Sequence, residues 1–211
     1  MRVWNSQATP PRRLDGSVFP RNAIVAGVQS PTRGDVALAV FRPQVLRGTV
    51  AWMRQQDPVA TPAEQRLFAD IAEHGVHIAH EAEHGERPVF AYTVGMWHSF
   101  GQPEIIVIGL PREVAQDLLD NLADEVDGGR RFGAGEQHGG LVRDYPVRLL
   151  RVNDAQAAQW LPLVGWAYER SDVPCLQLVY PDKQGRWPWQ PDVRDGFRRI
   201  QPVLERAAES S

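Results

Sequence analysis

Four histidines crowd one stretch of the chain: His74, His77, His80 and His84. On a helix, imidazoles three and four residues apart share a face and can hold a metal ion. Gly75 would stop such a helix, and in a strand His77 and His80 point to opposite faces. The spacing fits neither geometry, so no metal site is expected. Trp97, His98 and Ser99 stand shortly before Glu104. An imidazole and a carboxylate within hydrogen-bond reach can act as acid and base. No G-x-S-x-G nucleophile signature accompanies them, so the expectation is a Trp97 that covers a core edge and a solvated His98. Gln177 lies between Leu176 and Leu178, and a buried amide there must bond to backbone or to something bound. Cys175 in the same apolar run reads as packing. Trp187 and Trp189 flank Pro188; such aromatics anchor interfaces, wall a cleft or close a core. The glycine-rich GAGEQHGG holds His138, but it lacks the strand–loop–helix setting and the Gly-Lys-Ser/Thr of a phosphate loop.

These residues hang on elements that the pattern makes legible, centred on residues 90–129. Phe90, Tyr92 and Val94 alternate with Ala91, Thr93 and Gly95. One strand face is therefore bulky and the other small enough for a backbone, a helix or a flat ligand to approach. Ile105, Ile106, Val107 and Ile108 form a β-branched run suited to a strand buried on both faces. Val114, Ala115, Leu118, Leu119, Leu122, Ala123 and Val126 make the apolar stripe of a helix that opens at Pro111 and closes at Gly128 and Gly129. Upstream, Thr61, Pro62 and Glu64 spell a capping box for a helix ending at Gly75. Residues 76–82 should pair antiparallel with the central strand. Downstream, residues 145–153 and 175–180 read as strands. A helix begun at Asp154 is interrupted by Pro162 and Gly165, and a last helix begun at Asp195 is broken by Pro202. The order predicts an α+β fold, a single mixed, mainly antiparallel sheet flanked by about four helices. Residues 61–208 form the main domain. Residues 1–60, punctuated by prolines and with an optional hairpin over residues 23–41, form a partly ordered extension.

Composition narrows the function classes. At 211 residues and 43% hydrophobic, the chain can bury one good core. A net charge of −3 and a pI near 6.1 argue against nucleic acid as a partner. Lys183 is the only lysine and Cys175 the only cysteine, so no intrachain disulfide forms. No apolar stretch spans a membrane, and the N-terminus lacks the core of a secretory signal, so a cytoplasmic protein is expected.

Three blocks, Tyr92-Thr93-Val94-Gly95-Met96, Pro103-Glu104 with Gly109-Leu110-Pro111, and Gln177 to Asp182 with Trp187-Pro188-Trp189, resemble the bacterial family called domain of unknown function 4262. The likeness covers about residues 65–190 and implies no activity. The same order is similar to Suppressor of fused-like domains, which implies protein binding, including toxin-immunity roles. The Tyr-Thr-Val-Gly strand also resembles flavin reductase-type split barrels, which implies bound FMN with Thr93 near its phosphate. Two readings follow. One is a non-catalytic protein-interaction module using the Trp97 loop and Trp187–Trp189. The other is a small-ligand enzyme at the small-residue face of Thr93 and Gly95. The candidate binding residues are Thr93, Gly95, Trp97, His98, Glu104, His138, Gln177, Trp187 and Trp189.

Overall fold

The structure, a computed structural model, describes residues 53–54, 60–142 and 145–204. Thr61 opens the first helix, α1 (Pro62–His74): its hydroxyl accepts from the Glu64 N–H, and the Glu64 carboxylate accepts from the Thr61 N–H at 2.6 Å. Gly75, at φ 78°, supplies the left-handed residue that ends it. Strands β1 (His77–Glu81) and β2 (Phe90–Val94) pair antiparallel, and β2 pairs antiparallel with β3 (Glu104–Ile108). Between β2 and β3 lies a short helix, α2 (Met96–Phe100), where a loop was expected. Helix α3 (Arg112–Asp127) follows with the predicted apolar stripe buried, apart from the half-buried Val114.

The hairpin of β4 (Gln137–Val142) and β5 (Tyr145–Val152) comes next. Its first strand occupies part of the segment read as a glycine-rich loop. Pro162 and Leu161 divide the next helix into α4 (Asp154–Trp160) and α5 (Pro162–Tyr168). Strand β6 (Cys175–Val179) then runs parallel to β3 and antiparallel to β5, and α6 (Asp195–Ile200) follows. The sheet order is β1-β2-β3-β6-β5-β4, with β3–β6 its one parallel pair. The α+β reading and the mixed, mainly antiparallel sheet therefore stand. The described residues hold six helices against the four expected, because α2 is additional and the interrupted helix is two.

Both faces of the sheet are covered. Ala91, Ile105, Val107, Leu149 and Leu178 pack with Leu118, Leu119 and Leu122 of α3 and with Phe197 of α6. Tyr92, Val94, Ile106 and Cys175 pack with Leu67 of α1, Trp160 of α4 and Val164 and Tyr168 of α5. Each large apolar side chain buried this way contributes about 1.5–3 kcal/mol. The small-residue face is part of this packing, not a hollow. Ala91, Thr93 and Gly95 are buried, Ala91 shares a core with α3, and a Cβ on Gly95 would lie 2.8 Å from Ile71 Cγ1. The expectation of an open, thin sheet edge is corrected accordingly.

Before α1, Met53 packs on the α1–α5 core, and the Arg54 N–H donates to the Ala167 carbonyl at 2.7 Å. The hairpin considered for residues 23–41 lies outside the described residues.

Candidate functional site

Four of the candidate residues, Thr93, Gly95, Trp97 and, through Tyr168, His98, gather round a fifth, the buried Glu104. Strands β2 and β3 keep register from Phe90↔Ile108 to Tyr92↔Ile106. Beyond that point the Glu104 side chain takes over as acceptor. Its Oε2 accepts from the Thr93 hydroxyl at 2.7 Å. Its Oε1 accepts from the Gly95 N–H at 3.0 Å, the Trp97 N–H at 3.1 Å and the Tyr168 hydroxyl at 2.6 Å. Thr93 Oγ1 in turn accepts from the Ile105 N–H at 2.9 Å. The His98 N–H donates to the Tyr168 hydroxyl at 3.0 Å. One side chain thus ties β2, the first turn of α2, β3 and α5 together. A carboxylate offers about four acceptor sites; three donors meet on Oε1 and one on Oε2.

Glu104 is fully buried, and burial raises its pKa above the ordinary 4.5. The bonds from Tyr168, Thr93, Trp97 and Gly95 pull the other way without overcoming it. Burial likewise pushes the Tyr168 hydroxyl up, reinforced by the neighbouring Glu104 charge and the bond to it. The Trp97 ring lies 5.5 Å from the Tyr168 ring and shields this cluster, with the Arg170 guanidinium 5.1 Å above the indole. The geometry is that of a structural clamp: the Thr93 and Tyr168 hydroxyls and the Gly95 and Trp97 N–H groups all point inward to Glu104. Tyr168 has no signature in the sequence, since a tyrosine on an apolar helix face looks like any core aromatic.

The remaining candidates are scattered. Gln177 bonds only to backbone, its Nε2 donating to the Pro202 carbonyl and its Oε1 accepting from the Leu204 N–H, both at 2.7 Å. His138 sits on β4, 3.2 Å from Arg130 Nη2 and 3.1 Å from Glu136 Oε2, edge-on to Phe132. Of the four clustered histidines, His77 bonds Asp70 at 2.7 Å and His80 bonds Gln116 at 2.6 Å on opposite sides of β1. Burial raises the Cys175 thiol pKa, and the charges of Glu104 and Asp154 add to the rise. That thiol stays protonated, consistent with packing. A cleft of about 260 Å³ between α4 and α5 reaches Cys175, and another of about 560 Å³ lies beside α1 and His77. Neither is lined by a candidate binding residue.

Trp187 and Trp189 lie at the other end of the sheet. Glu104 is in register with Cys175, whereas Arg148, which approaches both indoles, is in register with Val179. That separation along β6 is roughly 13 Å at 3.3 Å per residue. The rings are stacked at 5.2 Å and 6°. Arg148 Cζ stands 5.7 Å from one ring centre and 5.8 Å from the other, so the cation approaches both rings about equally. Below them, Asp182 shapes the turn. Its carboxylate accepts from the Gln184 and Arg186 N–H groups and from the Arg186 guanidinium. Burial alone would raise the Asp182 pKa, but these bonds outweigh it and hold the carboxyl below its ordinary value. The Arg198 guanidinium fixes the far side of the loop by donating to the Pro188, Gln190 and Pro191 carbonyls. A loop so braced presents its tryptophans in one arrangement. Arg148, part of a strand recognised from sequence, was not among the candidates.

No curated protein and no solved structure matches the chain. No helix among the described residues is long and apolar enough to cross a membrane. One family, described as Domain of unknown function (DUF4262), matches residues 70–194, from within α1 to the residue before α6, and takes in both the Glu104 clamp and the tryptophan loop. That match spans more than half of the sequence, and the chain belongs to the DUF4262 family.

Proposed function

We propose that the chain is a non-catalytic protein-interaction module of the bacterial cytoplasm, with the Trp187–Trp189 loop as its contact face. The observation that carries this reading is the stacked pair itself. Trp189 remains 43% exposed although Trp187 covers one of its faces and the loop beneath is locked by Asp182, Arg186 and Arg198. An exposed aromatic held rigidly loses little entropy when it is covered, which is the property of an interface anchor. The polar groups around Glu104 are consumed inside the fold, which supports a binding role over a catalytic one. Burial of Thr93 and Gly95 within the fold supports this reading over the FMN alternative.

The test is capture of partner proteins from the source organism by the purified full chain, read by mass spectrometry. The double variant Trp187→Ala/Trp189→Ala, checked for folding by circular dichroism, should weaken capture about 30-fold, as loss of an interface hot spot does. Retention of every partner by the folded double variant overturns the reading.

A further inference from the structure

We infer that Arg148 is the receptor for a side-chain carboxylate, so that the tryptophan loop takes an acidic segment of a partner protein. This rests on the interaction-module reading above and adds the chemistry of the partner. Among the described residues, four arginines are half-buried: Arg87, Arg148, Arg186 and Arg198. Arg87 donates to the Gln159 carbonyl, Arg186 to the Asp182 carboxylate, and Arg198 to Asp195 and three carbonyls. Arg148 makes no such bond, and its buried Nε has no hydrogen-bond partner. The Nε is shut off from solvent, but the residue as a whole is half-buried, so an incoming acceptor would meet the outer nitrogens of a guanidinium that has no acceptor within the fold. The two indoles beside the guanidinium offer cation–π attraction but no acceptor for its N–H groups.

The planar guanidinium fork matches a carboxylate in two-point geometry. The surroundings favour a single carboxylate over a polyanion. Asp192 and Asp195 in the same loop region are paired with Arg186 and Arg198, and the chain as a whole carries a net charge of −3, which disfavours a long phosphate backbone more than one carboxylate. An apolar residue next to the acid would then cover Trp189. The loop offers both halves of that recognition, an aromatic surface and an unpaired cation, on one rigid support.

The experiment is an NMR titration of the isotope-labelled full chain, following the Arg148 Nε–H and Trp189 Nε1–H resonances. The probes are an acetylated, amidated peptide of leucines and serines carrying one glutamate, its glutamine twin, and an oligouridine. The expected result is that the glutamate peptide shifts both resonances and binds about tenfold more tightly than the glutamine peptide. Arg148→Lys, which keeps the charge but not the fork, should weaken it about fivefold. Equal binding of the two peptides, no shift with either, or tighter binding of the oligouridine overturns the inference. Capture of partners separates it from the reading beneath. If folded Arg148→Gln keeps the partners that Trp187→Ala/Trp189→Ala loses, the module stands and the carboxylate receptor falls.

Discussion

Tyr168 and Glu104 stand 64 positions apart in the chain and 2.6 Å apart in the fold. The tyrosine hydroxyl has no slack, because it donates to the carboxylate while accepting from the His98 N–H. Tyr168→Phe therefore strands one backbone donor and removes one donor from a buried acid, at a cost of about 2 kcal/mol. Glu104→Gln can keep the acceptor at Oε1 but turns an amide toward Thr93, costing about 1–3 kcal/mol. Because the two share one bond, the double variant should fall short of the sum by about 1 kcal/mol. Urea denaturation of the four proteins measures the coupling. Strict additivity would mean the clamp does not act as a unit.

The raised pKa of Glu104 sets the sign of its pH effect. A carboxyl that is harder to ionise in the folded chain makes the native state bind more protons than the unfolded one. Above the folded pKa its ionisation costs stability. As pH falls through that pKa toward the ordinary 4.5, the cost is relieved. The stability advantage of the parent over Glu104→Gln should therefore grow as pH is lowered across that window. Asp182 behaves oppositely: its depressed pKa gives stability present above 3.8 and lost as pH falls through the lower folded value. Urea midpoints of parent, Glu104→Gln and Asp182→Asn over a pH series separate the two slopes.

Gln177 and Gln201 hold the C-terminal segment by mimicking a strand. Gln201 donates to the Tyr180 carbonyl and accepts from its N–H, both at 2.9 Å, while Gln177 bonds Pro202 and Leu204. Gln177→Leu preserves bulk but leaves a part-buried carbonyl and a buried N–H unpaired, so it should cost about 1–3 kcal/mol. Hydrogen exchange gives the sharper readout, because the Leu204 amide should lose protection by about tenfold or more, while amides in α3 change only with global stability.

How much of this could be read beforehand divides along a physical line. Local signals carried well: the Thr61–Glu64 box, the α3 stripe and the Pro162 break each need only neighbouring residues, and each is where the sequence places it. Strand β4 escaped because Gly139 and Gly140 erase the alternation that marks a half-buried strand. The Glu104 clamp escaped in part because an acid at a strand start reads as solvent-facing, and its partner Tyr168 arrives from a different helix. Arg148 joins the tryptophans only through sheet register, which no spacing along one segment encodes. Small residues at Ala91, Thr93 and Gly95 could equally admit a ligand or a helix, and only the third dimension decides for the helix.

Gly95 shows how tightly that decision is enforced. It sits at φ 107°, a conformation that side-chain-bearing residues rarely adopt, and its N–H is one of the four donors to Glu104. A methyl group there would meet Ile71 Cγ1 at 2.8 Å and the Gly75 carbonyl at 3.1 Å. Ile71 can shift, but the Gly75 backbone caps α1 and cannot move without loosening the helix. Gly95→Ala should thus combine backbone strain with overpacking, for a loss of about 2–5 kcal/mol. Gly85→Ala is the matched control, since it shares a positive φ of 60° but has nothing within 4 Å of the added carbon. Thermal denaturation of the two should show a small drop for Gly85→Ala and a much larger one for Gly95→Ala. Equal drops would assign the whole effect to φ and leave the α1 contact without energetic weight.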